Sequence, residues 1–277
     1  MSWYKYIINN YVNYFNKKGT NIFDIYFNIC YYIRGDFMNY ENKIILITGA
    51  YQGIGYSLAD FFGRNKATLI LTYHNHLDET KKLQEELINK YSISVDIYNL
   101  DLCKEDSIIN LYNNVKIKYK KIDILINNAV LSLDNDIDNK TKDEFMKVIE
   151  TNLVGTFLMM KYFDKIIDGY IFNIGSTDGI DTGNIYSIDY NASKAGINSI
   201  TKTFSLYSKN KIISICPNWV DTESTRSMDS NYLKSELERI NQKKLINVGD
   251  IPKVIDRCIK DNNETGSIIR IEGDNND

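Results

Sequence analysis

The sequence predicts an α/β domain built on a parallel sheet with helices covering both faces. Two observations carry that prediction. Short runs that are apolar on both sides recur along the chain, such as Ile44-Ile45-Leu46-Ile47, and strands of that kind are buried on both faces. Between them lie longer stretches whose apolar residues repeat at helical spacing. Strands that alternate with helices pair in parallel, because each connection must return from one end of the sheet to the other.

The elements follow in order from Lys43. Residues 44–47 read as the first strand, and Gly53 opens a helical pattern that runs to Phe62. Residues 67–72 are strand-like and precede a charged helical segment, 77–90. Further strands are expected at 94–100, 122–127, 169–175, 212–216 and 267–271. One long helix is expected over 143–163, with Thr141 and Glu144 spaced as a capping box at its start. Another begins near Tyr190, where Ile197, Ile200, Phe204 and Tyr207 can form one buried stripe. No internal repeat or Pro/Gly/Ser-rich linker divides this region, so residues 38–277 are expected to form a single domain.

Residues 1–37 do not share the pattern. They are aromatic-rich, with Tyr4, Ile7, Ile8, Tyr11 and Phe15 at helical spacing. They read as an N-terminal extension: short helices packed on a surface, or an arm that meets a membrane surface or a partner. The strongly basic face of an interfacial helix is missing.

Composition narrows function by exclusion. The 277-residue chain has a formal net charge of −3, which gives no electrostatic case for nucleic acid or an anionic membrane. No apolar run is long enough to span a bilayer, and no signal peptide is visible. The four cysteines lie far apart with no Cys-x-x-Cys, which suits reduced thiols and a cytoplasmic location. His74 and His76 could ligate a metal, but no third ligand accompanies them, so no metal site is expected.

Two stretches carry chemistry. In Tyr190-Asn191-Ala192-Ser193-Lys194, residues four apart share a helix face, so the Tyr190 hydroxyl and the Lys194 ammonium can converge. A free phenol, with a pKa near 10, is a poor proton shuttle at neutral pH, and a nearby cation favours phenolate. In Thr48-Gly49-Ala50-Tyr51-Gln52-Gly53-Ile54-Gly55, glycines sit between a β-branched run and a helix. Gly49 can turn the chain sharply, and Gly53 and Gly55 remove side chains where backbone approaches a pyrophosphate at a helix N-terminus.

With that loop, Asp101, Asn127-Asn128-Ala129, Asn152, Ser176 and Tyr190 to Lys194 in this order, the chain resembles the short-chain dehydrogenase/reductase family. Within it, the single-domain branch of 3-oxoacyl-[acyl-carrier-protein] reductases is the most similar. The resemblance runs from about Lys43 to Gly273. It implies a Rossmann-type, doubly wound parallel sheet of about seven strands. The implied activity is hydride transfer between a nicotinamide cofactor and a small-molecule carbonyl or alcohol.

Roles follow from the resemblance. Tyr190 would be the general acid or base, Lys194 would lower its pKa and bind the nicotinamide ribose, and Ser176 would hold the substrate oxygen. Asn152, a lone amide in an apolar helical stretch, would hold a water in the proton relay. The loop residues Gly49, Tyr51, Gln52, Gly53, Ile54 and Gly55 would bind cofactor. So would Thr72, Tyr73 and His74 at the end of the second strand, Asp101 and Leu102 beside the adenine, and Asn128 and Ala129. Pro217, Val220 and Thr222 match the segment that binds the carboxamide.

The sequence departs from the family pattern where Val130 replaces a glycine after Asn-Asn-Ala, a position where positive φ would be costly for a β-branched residue. Asn218 replaces another glycine, a milder change. The second strand ends Leu71-Thr72-Tyr73-His74-Asn75 without the acid that usually binds an NAD ribose, so NADP(H) is favoured over NAD(H). The nearest arginine, Arg64, falls at the end of the first helix. The resemblance also implies a homodimer or homotetramer built on helices 143–163 and 190–208. Residues 222–249 should cover the site, where Arg226, Lys234, Arg239, Lys243 and Lys244 could greet a phosphorylated group or form a solvated face. A catalytically idle NADP(H)-binding sensor or scaffold, and a sugar-nucleotide-modifying enzyme, are the alternatives.

Overall fold

The computed structural model of the protein describes residues 38–273, so the expectations for residues 1–37 lie outside the described residues. Strands β1 (Ile44–Ile47), β2 (Thr68–Tyr73), β3 (Val95–Asn99), β4 (Ile122–Asn127), β5 (Ile167–Ile174), β6 (Lys211–Pro217) and β7 (Ile268–Ile271) form one sheet. Their spatial order is β3-β2-β1-β4-β5-β6-β7, and every pairing is parallel. The order reverses between β1 and β4, so the connections leave in opposite directions there and open a crevice beyond the strand ends.

Helices α1 (Gly53–Arg64), α2 (Leu77–Tyr91) and α3 (Glu105–Tyr119) connect the first four strands. Helices α4 (Lys142–Ile149) and α5 (Gly155–Phe163) precede β5, and α6 (Ile188–Phe204) precedes β6. Three more follow: α7 (Glu223–Arg226), α8 (Ser230–Arg239) and α9 (Asp250–Lys260). The apolar strand runs explain the core. Leu46, Ile70, Leu125, Ile171 and Ile212 on one sheet face bury against Ile108, Leu111 and Val115 of α3 and Met159, Met160 and Phe163 of α5. Burying such a side chain contributes about 1.5–3 kcal/mol, which is why these runs nucleate the sheet.

The long helix expected over 143–163 is two helices joined by a π-helical turn, Glu150–Val154. Its N-terminus carries the expected capping box, in which Thr141 accepts from the Glu144 N–H and Glu144 accepts from the Thr141 N–H. The stripe expected on α6 is real only in part. Ile197 is buried, but the helix ends at Phe204 and Tyr207 lies beyond it, exposed. Neither Val130 nor Asn218 adopts positive φ, so the strain expected at those two positions is not incurred.

Candidate active site

The glycine loop is wired to two strands before any ligand enters. Gly49 has φ +65°, and a Cβ on Gly55 would meet the Gly49 carbonyl oxygen at 2.2 Å. The Asn128 Nδ2 donates to the Thr48 and Gly49 carbonyls at 3.0 and 2.8 Å. Thr48 Oγ1 accepts from the Asn128 and Ala129 N–H groups, and Thr72 Oγ1 accepts from the Gly49 N–H. No side chain caps α1, so its first N–H groups remain free for an anion, beside Gln52, Gly53 and Ile54 on a cavity wall. That donor set fits a dinucleotide pyrophosphate.

The cavity has a volume of about 660 Å³ and follows the crevice across the strand ends. It is lined by every residue proposed from the sequence for cofactor or catalysis except Asn152. At one end lie Tyr73, His74, Asp101 and Leu102, with Tyr51 stacked on His76 at 4.2 Å between ring centroids. Burial works to raise the Asp101 carboxyl, but Lys104, the Cys103 N–H and His74 outweigh it and hold the group below its ordinary value. No carboxylate ends β2. Arg64 is paired with Asp60 at 2.9 Å and does not line the cavity.

At the other end Ser176, Tyr190 and Lys194 share a wall. Ser176 follows β5, and its Oγ accepts from the Asp178 N–H, which leaves its own proton to donate elsewhere. Tyr190 and Lys194 lie one turn apart on α6, with the ammonium 5.3 Å from the phenol ring centroid. The Lys194 Nζ donates to the Ile174 carbonyl at 2.6 Å, and burial lowers its pKa to about 8. Burial pushes the Tyr190 phenol up, and the Asp178 carboxylate adds to that, while the Ser176 hydroxyl beside it pulls the other way. This differs from the expected lowering by Lys194. Desolvation is the largest influence on the phenol, and the same burial disfavours the charge on Lys194.

Asn152 lies behind this wall in the π turn, fully buried. Its Oδ1 accepts from the Leu131 N–H, and its Nδ2 donates to the Leu131 carbonyl and to Ser193 Oγ. Both amide hydrogens are thus spent inside the protein, so its side chain has no donor left for a relay water. A single π turn is a frequent mark of a functional site, since it re-aims residues that a regular helix would place elsewhere.

Several cavity residues were not foreseen. Asp134 and Asp178 flank the tyrosine, and both raise its phenol. Asp189, beside Tyr190, forms a buried ion pair with Lys140 at 3.0 Å, tying the start of α6 to the loop before α4. None of the basic residues proposed after Thr222 lines the cavity. Arg226 pairs with Asp221, Lys234 with Glu238, and Arg239 with Glu236 while also holding the Thr182 and Gly183 carbonyls. Polar loop residues carry no periodic signal, so Asp134 and Asp178 could be found only by locating the tyrosine they face.

A model of the family described as short chain dehydrogenase matches residues 43–233. The chain belongs to the short chain dehydrogenase family. It is similar to the 3-oxoacyl-[acyl-carrier-protein] reductase FabG of Thermotoga maritima, 32% identical over 247 residues that span 85% of this chain and 98% of the relative. The FabG of Aquifex aeolicus is 29% identical over 72% of this chain and 83% of its own. Among solved structures, a short chain dehydrogenase from Burkholderia cenocepacia in complex with NADP superposes with a TM-score of 0.79. It is 17% identical and covers 85% of this chain and 98% of its own. Levodione reductase gives 0.75 at 21% identity, covering 84% of this chain and 97% of its own. The protein is therefore an NAD(P)-dependent oxidoreductase of the family that acts on alcohol and keto groups.

Proposed function

We propose that the protein is an NADP(H)-dependent reductase of a ketone, or oxidant of a secondary alcohol, with Tyr190 as acid and base. The observation that carries the reading is that Ser176, Tyr190 and Lys194 line the same cleft as the uncapped N-terminus of α1. The nicotinamide, when bound, supplies or takes up the hydride. Ser176 donates a hydrogen bond from its hydroxyl to the substrate oxygen and keeps its proton. The Tyr190 phenol, held protonated by burial, gives its proton to the same oxygen as charge develops there. Lys194, with its pKa near 8, can return a proton to that tyrosine at neutral pH. Asn152 acts as a positioning residue, holding Leu131 and Ser193 rather than a water by its side chain.

NADP(H) over NAD(H) is supported by the missing acid at the end of β2, where a carboxylate would repel a 2′-phosphate, and by the NADP found in the Burkholderia neighbour. Residues 38–277 form the catalytic domain in this reading, and the extension supplies no residue to the chemistry. Assembly as a dimer or tetramer is supported by exposed Met146, Val154, Phe157 and Ile188 on α4 to α6; Met159 and Met160 are buried and do not contribute. A monomeric mass by light scattering at micromolar concentration would remove that part.

The deciding experiment is Tyr190→Phe. It should lower kcat at least about a hundredfold, within the range acid–base catalysis supplies, while NADPH binding by fluorescence stays within about twofold. A variant that keeps more than a tenth of the activity would overturn the assignment.

A further inference from the structure

A second, smaller cavity of about 230 Å³ lies beside the cleft, lined by Asp134, Asn135, Tyr186 and Tyr232. Asp134 lines both cavities, so the two meet on the side of the cleft that carries Tyr190. The rings of Tyr186 and Tyr232 stand edge-to-face, 5.8 Å between centroids and 72° between planes. Each part is held in place. The Tyr232 hydroxyl accepts from Asn184 Nδ2 at 2.6 Å, and the Asn135 N–H donates to the Tyr186 carbonyl at 2.9 Å. Asp134 Oδ1 accepts from the hydroxyls of Ser132 and Ser187, at 2.7 and 2.6 Å.

All of those partners are neutral. Among the described residues Asp134 has no cationic side chain within ion-pair distance, whereas Asp178 on the cleft side, also without an ion pair, lies in the field of Arg239. The nearby bases are committed elsewhere: Lys140 to Asp189, and Arg239 to Glu236 and two carbonyls. A carboxylate beside two aromatic faces, with no cation of its own, is the chemistry that holds an ammonium group. The ring quadrupoles and the carboxylate attract it together, at a site where Asp134 and Tyr186 are exposed to solvent. The volume admits a group as large as trimethylammonium.

We propose that the substrate is a cationic ketone or alcohol whose ammonium group sits against Asp134, Tyr186 and Tyr232 while its oxygen meets Ser176 and Tyr190. This rests on the ketone-reductase reading and names its substrate class. It also distinguishes this cleft from one shaped for a phosphorylated arm, which would have to pass two carboxylates. The arriving cation offsets the field of Asp134 and Asp178 on the phenol, so binding of the right substrate eases proton release from Tyr190.

The test compares two probes of one shape: a methyl ketone ending in a trimethylammonium group, and the same ketone ending in tert-butyl. Both are titrated calorimetrically into the full-length protein saturated with NADP⁺, and both are then assayed for NADPH-dependent turnover. The cationic ketone should bind about fivefold more tightly than the neutral one, as expected for a cation against an aromatic ring and a carboxylate at an exposed site. Asp134→Asn should bring the ratio near one, and Tyr186→Leu, at a half-exposed position that folding tolerates, should reduce it about threefold. Equal binding of the two probes, or a ratio untouched by both variants, overturns the proposal. Turnover judges the parent reading separately. A preference for the cation without turnover of either ketone keeps the pocket and removes the reductase, whereas turnover without preference does the reverse.

Discussion

Replacing Asn152 with alanine tests whether the π turn positions the catalytic wall. The side chain is fully buried and makes three hydrogen bonds, at 2.8 Å to the Leu131 N–H, 2.8 Å to its carbonyl and 3.1 Å to Ser193 Oγ. Ser193 keeps its own bond to the Tyr190 carbonyl, so the cost falls on the two Leu131 backbone groups. An orphaned buried polar group costs about 1–3 kcal/mol; Leu131 is only half-buried, which puts the sum at about 2–4 kcal/mol. For a domain of this size that corresponds to a fall in Tm of about 5–12 °C, read by circular dichroism at matched protein concentration. Because Leu131 borders the cleft and Ser193 adjoins Tyr190, kcat should also fall about tenfold or more. Asn152→Asp keeps the acceptor but sets a carboxylate against the Leu131 carbonyl. That variant should be at least as unstable at neutral pH and should recover as acid supplies the missing donor. A Tm within about 2 °C of wild type together with unchanged kcat would refute the positioning role.

Three further outcomes follow from the same geometry. Burial holds the Lys194 pKa at about 8 against 10.5 in the unfolded chain, so between those values the unfolded state binds the extra proton and stability rises with pH. Lys194→Met should lack that rise, and parallel pH profiles of urea unfolding for variant and wild type would contradict it. Tyr73→Asp should weaken NADPH binding about tenfold relative to NADH by fluorescence titration; unchanged relative affinity would refute the reading of the β2 end. This position is a better probe than Thr72, whose buried hydroxyl accepts from the Gly49 N–H. A chain beginning at Met38 should keep kcat and KM within about twofold of full length. A tenfold change in either would mean that the extension reaches the site.

The central strands were legible because each holds a short run that is apolar on both faces, and Ile122–Asn127 was bounded to the residue. The capping box was legible because two side chains at fixed spacing satisfy two N–H groups reciprocally. Helices α3 and α9 were missed. On α3 only Ile108, Leu111 and Val115 mark the buried face among polar neighbours, and α9 follows the segment 222–249 read as a cover for the site, in a stretch given no assignment before the last strand. Asn152 stood out in sequence as a lone amide among apolar residues, but spacing cannot reveal that it closes on Leu131 through a π turn. The phenol's rise was illegible for a different reason. It depends on desolvation, and on Asp178 and Asp134 arriving from separate loops. The basic residues after Thr222 left two readings open because charge in a sequence does not disclose its partner; three of the five are paired with neighbouring acids, as a solvated face would have them.

Tyr40 precedes the first strand, yet it is almost completely buried. Its ring packs edge-to-face on Phe62 at 4.9 Å, and its hydroxyl donates to Asp256 on α9, 216 residues away. The start of the described fold is therefore fastened by its last helix. A chain emerging from the ribosome can pair β1, β2 and β3 early, but this anchor waits until α9 has been synthesised. Contacts of such long separation are slow to form, because loop-closure entropy must be met before they reward it. Until then the face of α1 that α9 covers stays open, and a folding intermediate halted before α9 would expose that face to other apolar surfaces.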